Sequence, residues 1–364
     1  MSQSNFELID LSMEINHDRY DLEPYDHTRL SAVNTCPTWG ILRYVLHKKM
    51  PGSSRAMALE AGSAAHECFA AIRWYHFATR QATTPVTKAI AENQGIKLFG
   101  EERFKNKILN AMSPDATDRT NCINVALEAL YSSGFYDDIG DNRRTISNIS
   151  ESVITYIDRC DPDKYPIWVR DKTDPKSDIG IEIPYDILVT VTWKDTSIDH
   201  SKQTKKYRFV GKLDGLHHYG DDKLIIIEEK TGARLDDSWL SQWILSHQIT
   251  GYCLAATTFT DIPCNHALIS GTRIPIGKVP QEGIRKELVP RSPDMYEKWA
   301  EWLVHTTDII SKYKDYIMSA PMYTHSCNRY FRPCSFTAFC ASDKQEKLSI
   351  IEEMEYDKWD VLES

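Results

Sequence analysis

Between residues 180 and 232 the apolar positions follow the short period of β-structure, and on either side they follow the longer period of helices. Gly180 to Trp193 reads as one strand and Lys194 to Lys205 as a polar connection. Lys206 to Leu213 alternates in part, with Phe209, Gly211 and Leu213 on one side. His217 to Asp222 is turn-like, and Leu224-Ile225-Ile226-Ile227 is an apolar, largely β-branched run bounded by polar residues. Ser31 to Arg80 carries two helical patterns. The second, Ala58 to Arg80, counts Leu59, Ala65, Phe69, Ile72 and Phe77 among its apolar members. Residues 90–165 hold helical segments (Gly100 to Met112, Asn121 to Ser132, Asn148 to Arg159) broken by loops, which read as a helical insertion. A helical pattern from Trp239 to Phe259, a strand around Ala267 to Ile274 and a long helix from Pro293 to Met318 follow. The order β-β-β-α-β inside flanking helices predicts an α/β protein with a mixed central sheet. Residues 1–30 read as a polar, acidic, extended lead-in. Residues 346–364 read as an acidic tail, with Glu352 to Asp357 a solvated helix face.

The strands carry chemistry at their polar ends. Asp214 closes the second strand in Val210-Gly211-Lys212-Leu213-Asp214, and after 13 intervening residues Glu228-Glu229-Lys230 closes the apolar run. Two strands joined by a short loop form an antiparallel hairpin, so whether Asp214 and Glu228 meet depends on register, which a bulge at Gly211 or Gly215 could adjust. Glu228 and Lys230 are two apart and share a strand face. Two carboxylates beside a lysine suit Mg²⁺ or Mn²⁺ and metal-assisted hydrolysis of a phosphodiester. The plain alternative is a surface hairpin with a salt-bridged Glu and Lys. His66 lies in the second helical pattern, where a lone histidine is as readily structural as a ligand. Gln248 and Tyr252, at i and i+4, share a helix face; Tyr252 could equally be a core aromatic. Glu182, in the strand-like Ile181-Glu182-Ile183-Pro184-Tyr185, is either a further carboxylate near a metal or an ordinary strand residue.

Nine cysteines stand at 36, 68, 122, 160, 253, 264, 327, 334 and 340. The odd count, with no secretory leader, points to a reducing compartment, cytoplasmic or nucleoid-associated, over a disulfide framework. Cys327, Cys334 and Cys340 are closely spaced and suit an iron–sulfur cluster or zinc, either of which needs a fourth ligand. Cys68, Cys122, Cys160, Cys253 and Cys264 lie in apolar settings and read as small buried residues.

In sequence order the chain shows Gly62-x-x-x-His66, Gly211-x-x-Asp214, Glu228-x-Lys230-Thr231-Gly232 and Gln248-x-x-x-Tyr252. On these four elements it resembles the RecB/AddB-like branch of the PD-(D/E)XK nucleases, which includes CRISPR-associated RecB-like exonucleases. The resemblance covers mainly residues 31–80 and 180–270. It implies a restriction-endonuclease-like core, with one nuclease domain over 31–345, a helical insertion at about 90–165 and the cysteine group at 327–340. It also implies that His66, Asp214, Glu228 and the main-chain carbonyl of Glu229 hold Mg²⁺ or Mn²⁺. Lys230 then acts on the attacking water, and Gln248 and Tyr252 line the site or the DNA path. Ser31-x₄-Cys36-Pro37 resembles the entry of the iron–sulfur members of this branch. That makes Cys36 the fourth ligand of a [4Fe–4S] cluster with Cys327, Cys334 and Cys340; Zn²⁺ is the alternative.

Composition agrees with an intracellular enzyme. The chain has 364 residues, 41% of them hydrophobic and 26% charged, and no apolar run approaches membrane-spanning length. A formal net charge of −9 does not advertise a polyanion partner, so DNA binding must rest on local basic surface. Candidates are Lys48 and Lys49, with Arg43 and His47; Lys202, Lys205, Lys206 and Arg208; and Arg329 and Arg332. The last pair interleaves with Tyr330, Phe331 and Phe336, aromatics that either stack on a single strand or shield the cysteine group. The expected partner is DNA, single-stranded or with free ends. No phosphate-binding loop of a motor is present, so a helicase or a recombination or replication partner would supply any unwinding. Two other classes stand beside this reading: a non-catalytic DNA-binding or scaffold protein on a nuclease fold, and a zinc or redox module with an incidental carboxylate hairpin.

Overall fold

The computed structural model of the chain describes residues 6–16, 22–52, 57–159, 161–195, 201–274, 283–329 and 332–362. Within them lie a mixed seven-stranded sheet and about a dozen helices. The strands of that sheet are β1 (Phe6–Ile15), β2 (Pro24–Tyr25), β3 (Ile181–Asp195), β4 (Lys202–His218), β5 (Leu224–Gly232), β6 (Cys264–Arg273) and β7 (Ile284–Pro290). The helices used below are α1 (His27–Thr35), α2 (Met57–His76), α3 (Pro85–Phe99), α4 (Asp118–Tyr131), α5 (Ile146–Arg159), α6 (Asp237–Ile244), α7 (His247–Thr260), α8 (Pro293–Tyr313) and α9 (Lys344–Glu353). Sheet order is β1-β3-β4-β5-β6-β7, with β2 beside β4. β5 runs antiparallel to β4 and parallel to β6, and β7 returns antiparallel to β6.

The chain forms two compact units, Met1–Arg55 with Tyr185–Gly211 and Pro293–Ser364, and Ala56–Pro184 with Lys212–Ser292. β3 and β4 each supply residues to both. In the second unit, α2 carries a face of small residues (Ala61, Ala64, Ala65, Cys68) next to Phe69 and Ile72, all buried. Small side chains let neighbouring helices approach closely, and α3, α4 and α5 cover this helix to build one apolar core. The Trp74 indole donates to the Ala91 carbonyl at 2.8 Å, tying α2 to α3. Gly95 is obligatory there, because a Cβ would lie 2.1 Å from the Phe104 ring. The helices of this stretch begin earlier than the sequence pattern does, at a Thr84 cap followed by Pro85.

In the first unit the lead-in is part of the sheet. β1 pairs antiparallel with β3, and its register shifts between Leu8 and Asp10. The Phe6 ring stacks on Trp193 at 5.8 Å. Beneath β4, the Phe209 ring meets Trp299 of α8 edge-on at 5.2 Å. The tail is likewise built in, not a solvated helix face throughout: α9 ends at Glu353, Met354 is buried, and Glu355–Tyr356 pair with Lys48–Lys49. Arg43 donates to the Asp357 carboxylate at 2.9 Å, and the Trp359 indole to Asp26 at 3.1 Å. Two further expectations are corrected. Leu59, taken as an apolar member of α2, is 71% exposed. The 239–259 helix is two helices, broken at Leu245 and Ser246. No helix is long and apolar enough to cross a membrane among the described residues.

Candidate metal centre and cysteine cavity

The hairpin register decides the first question. Gly215 pairs with Ile227 and Leu216 with Ile226, so Asp214 falls opposite Glu228 one step further on. The Glu229 amide donates to Asp214 Oδ2 at 3.0 Å, which fixes that carboxylate against the end of β5. On the other side of the same oxygen stands His66 Nδ1 of α2, at 3.4 Å. Glu228, 1% exposed, turns its Oε1 to Lys230 Nζ at 2.5 Å and to the Gln248 amide at 3.2 Å. Gln248 also donates to the Tyr252 hydroxyl at 2.9 Å, as two residues one turn apart on α7 can. Asp214, Glu228, Lys230, His66, Gln248 and Tyr252 are therefore one connected group in the second unit.

Glu182 joins them. Among the described residues, His66, Glu182 and Asp214 are the three side chains whose ligand atoms all lie within 4.8 Å of one another. Glu182, the second residue of β3, has φ of +48°, a left-handed backbone that a side-chain-bearing residue rarely adopts and that clusters at functional sites. One nitrogen and two carboxylates form a donor set suited to a hard or borderline divalent cation. Glu182 Oε1 and Glu228 Oε2 are buried and accept no hydrogen bond, a shortfall that a bound cation would remove.

The electrostatics reflect crowding of like charges. Burial and the negative charge of Asp214 push Glu182 up to about 7, against the pull of Arg73. Burial, then Asp214, push Glu228 up to about 7 as well. Burial opposes a charged ring at His66, yet the adjacent Asp214 outweighs it and raises the imidazole to about 9. Asp214 itself is drawn well below the usual carboxylate range: burial would raise it, but His66, Lys230 and Arg73 prevail. Burial works against the Lys230 ammonium, and the carboxylates around it, led by Glu228, keep it charged.

Glu229 points the other way. Its side chain is fully buried, paired with Arg73 and accepting from the Tyr156 hydroxyl at 3.0 Å. Arg73 also stands 3.6 Å from Glu182 Oε1, and Lys212 3.5 Å from its Oε2. A cation two helical turns after His66 thus balances the carboxylates behind the site. Sequence reading missed Arg73, Tyr156 and Trp243, whose ring lies 5.4 Å from Lys230 Nζ. A usable signal for Arg73 was present: a single arginine inside the apolar run Phe69 to Tyr75.

The cysteines assemble separately, within the first unit. Cys36, Cys327, Cys334 and Cys340 line one cavity of about 190 Å³ together with Trp39 and Phe336. Cys36 sits where α1 ends and a Pro37-initiated turn begins. The Ser326 hydroxyl donates to the Thr35 carbonyl at 2.9 Å, and the Cys334 amide to the Cys327 carbonyl at 2.7 Å. Four free thiols around one cavity are a donor set that suits either zinc or an iron–sulfur cluster. Cys68, Cys122, Cys253 and Cys264 are buried; Cys160 lies outside the described residues.

Of the basic candidates, Lys48 and Lys49 are half-buried in their pairing with the tail. Lys205 pairs with Asp308 at 2.5 Å, and Arg208 with Asp186 at 2.6 Å. Tyr330 and Phe331, and the side chains of Arg329 and Arg332, lie outside the described residues. Compared with known proteins, the chain matches no family model and no curated protein.

Proposed function

We propose that the chain is a divalent-metal-dependent DNA nuclease of the PD-(D/E)XK class, RecB/AddB-like, that carries a [4Fe–4S] cluster. The observation that carries this reading is the convergence of His66, Glu182 and Asp214 beside the Glu228–Lys230 pair. In support of a restriction-endonuclease-like core, α2, β3, β4, β5, α7 and β6 come in the order α-β-β-β-α-β, with the helices of residues 85–159 between α2 and β3 and α6 between β5 and α7. His66, Glu182 and Asp214 would hold Mg²⁺ or Mn²⁺, with Glu228 Oε2 still available to it. The cation, when bound, supplies Lewis-acid polarisation of a phosphoryl oxygen and a water of lowered pKa.

The chain's own residues do the positioning. The Glu229 amide and His66 fix Asp214, while Gln248 and Lys230 fix Glu228. Lys230, held as an ammonium, donates to the attacking water or a phosphate oxygen and stabilises the charge that develops there. Tyr252 braces Gln248 and acts on Glu228 through it. Cys36, Cys327, Cys334 and Cys340 would hold the cluster, whose role is structural: it joins residues 36 and 327–340 across most of the sequence. The substrate is DNA, single-stranded or with free ends, in a reducing compartment, with any unwinding left to a helicase or a recombination or replication partner.

The test is digestion of end-labelled single- and double-stranded DNA with Mg²⁺ or Mn²⁺, after anaerobic purification, metal analysis and an absorption spectrum. Lys230→Ala should cut the rate at least about a hundredfold while leaving the circular dichroism spectrum unchanged. Equal rates for Lys230→Ala and the unsubstituted chain would remove the assignment.

A further inference from the structure

α6 has none of its eight residues buried, so packing alone does little to hold it. Two arginines hold it instead. Arg291, 5% exposed, donates to the carbonyls of Trp243 at 2.9 Å and Ile244 at 3.0 Å. Arg285 donates to the Leu235 carbonyl at 3.0 Å and to the Asp237 carboxylate at 2.7 Å. Trp239 seats beneath, over Gly271, where a Cβ would stand 2.4 Å from its ring. The helix fixed in this way presents apolar surface: Ile244 is 49% and Leu245 74% exposed. One residue before Ile244, the Trp243 ring lies 5.4 Å from Lys230 Nζ, and its indole N–H is buried without a hydrogen-bond partner among the described residues. A doubly anchored helix end that exposes apolar side chains, next to the tryptophan that covers the lysine of a phosphodiester site, suits an occupant with a flat apolar face one bond system away from a phosphate. A nucleobase meets that description. It can lie there only when unstacked and unpaired, since duplex bases keep their faces inside the stack.

Resting on the nuclease reading, we propose that α6 and Leu245 form the docking ridge for an unpaired nucleobase of single-stranded DNA next to the scissile phosphate. Ile244 and Leu245 act as an apolar wedge at its outer end, and Trp243 is a positioning residue that also shields Lys230. The ridge favours single strands and frayed ends over intact duplex.

The experiment measures anisotropy of a fluorescein-labelled oligothymidylate, and of the same oligomer carrying abasic residues, on the full chain in an Asp214→Asn background. A parallel cleavage assay on the Asp214 chain uses Mn²⁺. Ile244→Ser combined with Leu245→Ser should weaken binding of the oligothymidylate about tenfold. The abasic oligomer should bind about tenfold less well to the unsubstituted ridge, with no additional loss on the doubly substituted one. Trp243→Phe should retain affinity that Trp243→Ala loses. If the chain cleaves DNA but the double substitution leaves affinity unchanged, or the abasic and double-substitution losses simply multiply, the ridge assignment falls alone. If the unsubstituted chain neither binds nor cleaves DNA, the nuclease reading falls and the ridge with it.

Discussion

The carboxylate group of the second unit and the cysteine cavity of the first both gather ligand-type side chains, but they are held in place differently. Around Asp214 the protein supplies its own order: an amide and an imidazole meet one oxygen of Asp214, and a glutamine and a lysine meet one oxygen of Glu228. Behind it, Arg73 and Tyr156 neutralise and bind Glu229. Among the described residues the four thiols show no comparable network. They line an apolar cavity, framed by backbone hydrogen bonds such as that from the Cys334 amide to the Cys327 carbonyl. A preorganised polar site should therefore lose its cation and keep its shape, whereas a thiol cavity without its cluster should lose part of the fold.

That contrast can be broken at several points. Asp214→Ala should abolish cleavage, by at least about a hundredfold, while the melting temperature moves little. A melting temperature that collapses along with activity would show that the site is not preorganised. Cys334→Ala should do the reverse, removing the brown colour and lowering stability by an amount on the order of several kcal/mol. A colourless parent protein carrying stoichiometric zinc would replace iron with zinc in that account. Arg73→Met should destabilise by about 3–5 kcal/mol, because Glu229 is left buried and unpaired; urea titration measures it. Gly211→Ala should cost about 1–3 kcal/mol, since its Cβ would stand 2.3 Å from the Tyr185 hydroxyl.

A smaller effect, in pH, sharpens the same comparison. His66 at about 9 and Glu182 and Glu228 at about 7 all lie above their unfolded values of roughly 6.5 and 4.3. Each group binds protons more tightly in the folded, cation-free chain, so stability falls as pH rises through that window. Asp214, drawn downward, acts only in acid and contributes stability that is lost as pH drops below the usual carboxylate range. The chelator-treated protein should thus melt lower at pH 8 than at pH 6, and Mn²⁺ should raise its melting temperature more at pH 8. A melting temperature that climbs over that range in chelator would mean that the carboxylates do not share one pocket.

Much of this was legible because strand periodicity and motif spacing are local. The hairpin, the shared face of Glu228 and Lys230, and the Gln248–Tyr252 pair needed only a period of two or four. β1 was not read as a strand, because its register shift between Leu8 and Asp10 moves the apolar positions from Phe6 and Leu8 to Leu11, Met13 and Ile15. The break after α6 was hidden because Arg291, some fifty residues later, holds the carbonyls that end the helix. Glu182 stayed undecided for a related reason: a left-handed φ turns a side chain in a way that strand alternation does not foretell.

The central claim is that His66, Glu182 and Asp214 together hold one divalent cation. Pulsed electron paramagnetic resonance on the Mn²⁺-loaded protein tests it most directly. One tightly bound Mn²⁺ with a nitrogen coupling should appear, the coupling vanishing in His66→Gln and affinity falling sharply in Asp214→Asn and Glu182→Gln. Mn²⁺ that fails to bind, or that binds identically in all three variants, would contradict the account.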